Sequence, residues 1–233
     1  MTRIGIVVGM ASEAAIVRAA LRDVPAPFQP KLAIAGASSA RAAEGARRLV
    51  IEGVEALLSF GLAGGLDPAL DTGDGVLARA VVLPDGTRIE TDAAWRARLG
   101  DALAANGRVA LGDVAGADAA LATPAEKARL YRATGAIAVD MESHAVAAAA
   151  RAAGVPFMVL RAILDTASDA IPEAALAGLD ASGNARALPV LARAILRPWE
   201  FPALIRLGRA NRAALASLGR LAADLGPAFV FGP

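Results

Sequence analysis

The 233-residue chain has no cysteine and a single histidine, His144. The first absence removes disulfides, thiolate metal sites and cysteine nucleophiles together. The second excludes a multi-histidine metal centre, so acid/base work falls mainly to carboxylates. Neither a metal nor another cofactor is expected. Aromatics are only 4% of a chain that is 56% hydrophobic, so the apolar content is Ala, Leu and Val. That argues against a nucleic-acid binder built on stacking platforms. Neither sign of charge dominates: 24 Lys and Arg stand against 23 Asp and Glu. The chain as a whole is not built to hold a polyanion. No apolar run reaches the roughly 18–20 residues of a spanning helix, and the N-terminal stretch reads as a strand, not a signal peptide. A cytoplasmic protein is the expectation.

What is present is an alternation of short apolar runs with Ala-rich stretches of helical character. Strands are expected at Arg3–Gly9, Lys31–Gly36, Glu55–Phe60, Gly75–Val82, Ala136–Val139 and Phe157–Arg161. Helices are expected at Ser12–Leu21, from Ser38 or Ser39 to Ile51, and at Asp92–Ala105, Pro124–Ala133 and Glu142–Ala153. Ser12 is placed near the first N-cap. The pattern predicts an α/β fold, a mixed central sheet with helices on both faces, and a C-terminal helical tail. Residues 1–170 form the expected catalytic core and 171–233 an extension packed on it. In such folds ligands sit at the carboxyl ends of the strands.

Four polar segments fall at those ends. Gly9-Met10-Ala11-Ser12-Glu13 turns from strand into helix, although a first-turn carboxylate is also simply favoured by the helix dipole. Gly61-Leu62-Ala63-Gly64-Gly65 reads as a Gly-rich loop whose backbone can approach a ligand. It has neither the dinucleotide-binding nor the P-loop spacing. Asp140-Met141-Glu142 sits at a strand-to-helix junction, and Asp165 lies just past another strand. Taken one at a time, each is an ordinary cap or turn. Together they deliver carboxylates and a Gly-rich segment to one sheet edge, the parts that N-glycosidic cleavage needs.

The chain resembles the nucleoside phosphorylase and nucleosidase superfamily, and within it the 5′-methylthioadenosine/S-adenosylhomocysteine nucleosidases. It is more similar still to the hopanoid-associated phosphorylases of hopanoid lipid biosynthesis, through Ser59–Leu70, Val139–His144 and an Arg-rich tail. The resemblance implies a three-layer α/β/α fold and a nucleoside substrate. It makes Asp165 the acid that protonates the purine at N7, and Glu142 the grip on the ribose hydroxyls, with Met141 packed under the sugar. Glu13 becomes the carboxylate that activates water, and Gly61, Leu62, Ala63 and Gly64 the segment flanking nucleophile and ribose. Ala120 and Leu121 fall in the base-binding segment. A homo-oligomer is implied as well.

Departures from the family pattern are informative. Leu62 stands where the nucleosidases carry Ser, and Ala120 replaces their stacking aromatic. Bacterial hexameric phosphorylases bind phosphate with Arg at the positions of Glu13 and Ser59. Without those donors a phosphate dianion is poorly held, so water is favoured over phosphate as nucleophile. Ser38, Ser39, Arg41 or a neighbouring subunit's Arg remains another possible phosphate site. The short segment from Val81 to Ile89 suggests an opening beside the 5′ carbon, suited to the lipid-linked nucleoside adenosylhopane.

At Phe201–Leu225 leucines group on one side and arginines on the other. That pattern fits a helix packed on protein, or one lying on a membrane surface through 199–225. His144 reads either as a proton shuttle or as a structural histidine. Three functions follow: a nucleosidase, a phosphorylase of like specificity, or an idle nucleoside-binding protein.

Overall fold

The computed structural model describes residues 3–105, 108–176 and 197–226. In chain order the elements are β1 (Ile4–Val8), α1 (Ala11–Ala20), β2 (Lys31–Ile34), α2 (Ser39–Ile51), β3 (Ala56–Gly65) and β4 (Gly75–Val82). There follow β5 (Arg88–Glu90), α3 (Ala93–Leu103), β6 (Val109–Gly116), α4 (Pro124–Thr134) and β7 (Ala138–Asp140). The chain continues through α5 (Ser143–Ala153), β8 (Phe157–Asp165), the helical turn α6 (Glu173–Leu176) and α7 (Phe201–Leu225).

The eight strands form one mixed sheet in the order β2-β1-β3-β7-β6-β4-β5, with β8 pairing both β3 and β4. The pairings close a ring through β3, β7, β6, β4 and β8. Long β3 makes this closure possible. Its first part runs parallel to β8, and Gly64 and Gly65 at its end turn to pair antiparallel with β7.

Side-chain alternation along the strands builds a core on each face of the sheet. In β8, Phe157, Val159 and Ile163 pack on the face covered by α2 and α5. Met158, Leu160 and Ala162 pack on the face of α1, α3 and α7. Small residues such as Ala42, Ala46 and Ala150 let α2 and α5 lie close, which is how an aromatic-poor chain still fills its interior. On the other face Phe60 and Trp95 supply the bulk.

The second half of α7 belongs to this core. Leu218, Leu221 and Leu225 are buried there, each contributing about 1.5–3 kcal/mol by leaving water. The leucine side of the tail therefore packs on protein. The first half stays exposed at Phe201 and Ile205, just after Trp199. Among the described residues no helix is long and apolar enough to cross a membrane.

Several expected boundaries move. The N-cap of α1 is Met10, not Ser12, because the helix already starts at Ala11. Gly61–Gly64 are not a loop but strand, since β3 runs on through Gly65 against β8 and β7. Asp165 ends β8 instead of following it. Strands β5 and β6 were not anticipated, and 81–89 is a hairpin from β4 to β5. The strands around α5 are not neighbours: β7 pairs β6 and β3, while β8 pairs β3 and β4. The part of the tail at 177–196 and 227–233 lies outside the described residues.

Candidate active site

The ends of β1, β3, β7 and β8 meet around a cavity of about 240 Å³. Glu13, Glu142 and Asp165 all line it, with Met141, Leu62, Ala63 and Gly64. Ala120 and Leu121 line it too, and no aromatic residue is among the described lining residues. Gly61 does not reach the cavity. A Cβ there would fall 2.6 Å from Arg161 Nη1 and 2.6 Å from Glu13 Oε1, so the bare backbone is what lets these groups approach.

Glu13 sits in the first turn of α1 and is buried. Its Oε2 accepts the Met10 N–H at 2.8 Å, and its Oε1 accepts the Leu62 N–H, also at 2.8 Å. Two oriented donors thus fix the carboxyl at the cavity wall. Burial lifts its pKa above the ordinary carboxylate range, while the Arg161 guanidinium and these N–H groups pull it down without prevailing. Glu142 lies beside it across Gly9, where a Cβ would be 2.9 Å from Glu142 Oε1 and 3.4 Å from Glu13 Oε2. The Glu142 pKa is pushed up to about 8, first by burial, against the pull of Arg161, and then by the charges of Asp140 and Glu13. A carboxyl poised this way can either donate to or accept from a sugar hydroxyl.

Beneath the two glutamates lies a buried ionic cluster that sequence reasoning did not assign. Arg161 Nε donates to Asp140 Oδ2 at 2.6 Å, and its Nη2 donates to Ser59 Oγ at 2.6 Å and Ser143 Oγ at 2.9 Å. Arg161 Nη2 also stands 3.7 Å from Glu142 Oε2. Asp140 Oδ1 accepts the N–H groups of Glu142 and Ser143, capping the turn that presents Glu142. Ser59 is thus committed to Arg161. An arginine inside the apolar run Phe157–Leu164 was the available signal, since a buried charge demands a partner.

Asp165, which also lines the cavity, is buried and paired with Lys127. Lys127 Nζ also donates to the carbonyls of Thr166 at 2.6 Å and Asp169 at 3.0 Å. Burial raises the Asp165 pKa, and the Lys127 ammonium opposes that rise. Opposite Asp165, the segment holding Ala120 and Leu121 is tied to the Asp165 loop where Ile171 N–H donates to the Ala122 carbonyl at 2.9 Å. Ala37, one of the lining residues, holds φ at 50°, a left-handed conformation that costs a residue with a side chain energy.

The remaining wall comes from the C-terminal elements: Ile171, Ala175 of α6, and Leu207 and Asn211 of α7. None of the described lining residues comes from 75–90, although β4 pairs with β8 through Gly75–Leu77. Among the described residues, the short 81–89 segment thus adds no wall to this cavity. His144 does not line the cavity either. Its Nε2 is 3.3 Å from Asp118 Oδ1, which also accepts Ser39 Oγ at 2.8 Å. Its buried Nδ1 has no hydrogen-bond partner among the described residues, and its ring fills the space beside Gly116. Among the described residues no cluster of His, Asp and Glu could hold a metal ion.

This fold recurs in enzymes of nucleoside metabolism. Campylobacter jejuni 5′-methylthioadenosine/S-adenosylhomocysteine nucleosidase superposes with a TM-score of 0.73 at 20% identity, over 98% of this chain and 99% of that one. The Neisseria meningitidis nucleosidase, solved with methylthio-immucillin-A, gives 0.73 at 17% identity, over 97% and 98%. Futalosine hydrolase of Helicobacter pylori strain 26695 gives 0.69 at 20% identity, over 98% and 95%. At such identities the likeness is one of fold. No curated protein matches the sequence. The family profile of the phosphorylase superfamily matches residues 32–197, most of the chain, and with it β3, β7 and β8 of the cavity, while β1 and Glu13 precede the match. The chain belongs to the phosphorylase superfamily.

Proposed function

We infer that this protein cleaves the N-glycosidic bond of an adenine nucleoside, with water as the nucleophile. One observation carries the reading: the only cation among the described residues lining the cavity, beside the carboxylates of Glu13, Asp140, Glu142 and Asp165, is Lys127. Its N–H groups already serve Asp165, Thr166 and Asp169. Arg161 is buried behind Gly61 and Glu13, and bonded to Asp140 and the two serines. A phosphate dianion would meet glutamates here instead of charge-assisted donors. Water meets a general base.

In the reaction so read, Asp165 gives its proton to purine N7 as the C1′–N9 electron pair leaves with the base. Glu142 and Met141 hold the ribose, and Glu13 takes a proton from the water that attacks C1′. That solved structures of this fold include nucleosidases and a futalosine hydrolase is in keeping with hydrolysis.

The substrate inferred carries a large apolar group at its 5′ carbon, with adenosylhopane as the form that the hopanoid-associated resemblance implies. Apolar Ile171, Ala175 and Leu207 wall the cavity on the side of α7. On the same half-helix Phe201 and Ile205 are exposed among Arg206, Arg209 and Arg212, and Trp199 is 71% exposed just before it. Such a surface suits the headgroup region of a bilayer. Adenine release from adenosine, methylthioadenosine and adenosylhopane, each with and without phosphate, tests the whole reading. The expected result is release without phosphate, fastest from adenosylhopane. Release that requires phosphate and yields a ribose 1-phosphate would overturn hydrolysis.

A further inference from the structure

Lys127 is a charged member of the cavity that this mechanism leaves without a task. It lies on α4 at 1% exposure, and its Nζ reaches the Asp165 carboxylate and two backbone carbonyls. An ammonium has three N–H groups and no acceptor, so these partners use its whole donor capacity. A cation is buried only at high cost unless paired. Here the pairing falls on the carboxyl read as the proton donor, and with Oδ2 engaged, Oδ1 is the oxygen left for a ligand.

We propose that Lys127 is the positioning residue of Asp165, holding Oδ2 so that Oδ1 meets the base, and stabilising the carboxylate left when the proton has gone. The inference rests on Asp165 being the acid of the proposed reaction. As the C1′–N9 pair passes to the purine and the Asp165 proton to N7, Asp165 ends as an anion with its countercharge already in place. Charge fixed in advance where charge develops needs no reorganisation during the step. The other charged groups acting there are Asp169, in the same loop, and Arg206 of α7, which acts on Asp169. Without the ammonium, Asp165 would be a weaker acid.

The test compares wild type, Lys127→Met, Lys127→Arg and Asp165→Asn. It follows kcat/KM for adenine release, and the affinity for adenine itself by calorimetry, each as a function of pH. Melting curves report folding. Lys127→Met is expected to lower kcat about tenfold to a hundredfold and to move the alkaline limb of both profiles to higher pH. Lys127→Arg is expected to keep that limb in place. A limb that stays put in folded Lys127→Met, or that moves equally in the Arg variant, overturns the proposal. Should Lys127→Met not fold, Lys127→Gln keeps donors while losing the charge, and carries the same comparison. Asp165→Asn releasing adenine at the wild-type rate would sink the reaction itself. An inactive Asp165→Asn beside an unmoved limb in the Lys127 variants sinks only the role of Lys127.

Discussion

Arg161 Nε lies 2.6 Å from Asp140 Oδ2, and both side chains are sealed from solvent. Because Asp140 also caps the turn before α5, this pair holds Glu142 in position. Arg161→Met would leave Asp140 buried without its countercharge. A cost of about 3–5 kcal/mol is expected, a fall in Tm of roughly 10 °C for a chain of this length. Adding Asp140→Asn should recover part of the loss. Urea denaturation of the single and double variants checks it, and a wild-type midpoint for Arg161→Met would contradict the pairing.

Glu142 binds its proton more tightly folded than unfolded, since burial lifts its pKa to about 8 from 4.5. Its contribution to stability is therefore complete below the unfolded value and lost as pH rises towards 8. Glu13 and Asp165, also raised, act in the same direction. The wild-type Tm should decline across that interval. Glu142→Gln should flatten the decline and melt a few degrees higher at pH 8, while losing the grip on ribose. Melting in a buffer series decides; a variant whose Tm falls in parallel with wild type refutes the assignment.

Catalysis should show a bell-shaped pH profile. Glu13 must be ionised to take a proton, so its raised pKa places the acid limb above the usual carboxylate range. Asp165 must be protonated to give one, and it governs the alkaline limb. Glu13→Gln and Asp165→Asn should each lower kcat about 10²–10⁴-fold with the fold retained. The limb belonging to the replaced group should vanish from the kcat/KM profile. If Glu13→Gln keeps its acid limb, another group is the base.

Gly61 touches no ligand space, yet a methyl group there would intrude within 2.6 Å of both Arg161 and Glu13. Gly61→Ala should displace Glu13 and abolish most adenine release, with a loss of stability of about 1–3 kcal/mol from overpacking. Gly86→Ala is the control for handling a glycine variant, since a Cβ there meets nothing within 4 Å. Its left-handed φ makes it slightly destabilising but leaves the cavity intact.

The parts legible in the sequence were those written in local pattern. Ile4–Val8 is a solid apolar run because every residue of β1 is buried. Glu13, Glu142 and Asp165 stood out because strand ends are where this architecture places chemistry. Strand β6 was missed because Val-Ala-Leu-Gly-Asp-Val-Ala-Gly carries a glycine and an aspartate that read as loop. Its Gly112 is there to admit Ile137, a packing demand from a distant segment. In sequence Lys127 is one of several charges on the polar helix Pro124–Thr134, and only the fold turns it inward against Asp165. The ring closure through β8 rests on long-range pairing that no periodicity encodes.

Helix α7 gives Leu207 and Asn211 to the cavity and, within about four further turns, Leu218, Leu221 and Leu225 to the core. The tail is thus not an appendage that can be clipped off to ask whether it meets a bilayer. A chain ending near Ile195 would lose part of its interior and a wall of its pocket at once, and liposome flotation of such a fragment would report misfolding. Only surface replacements at Trp199, Phe201 and Ile205 put the question to an otherwise whole enzyme.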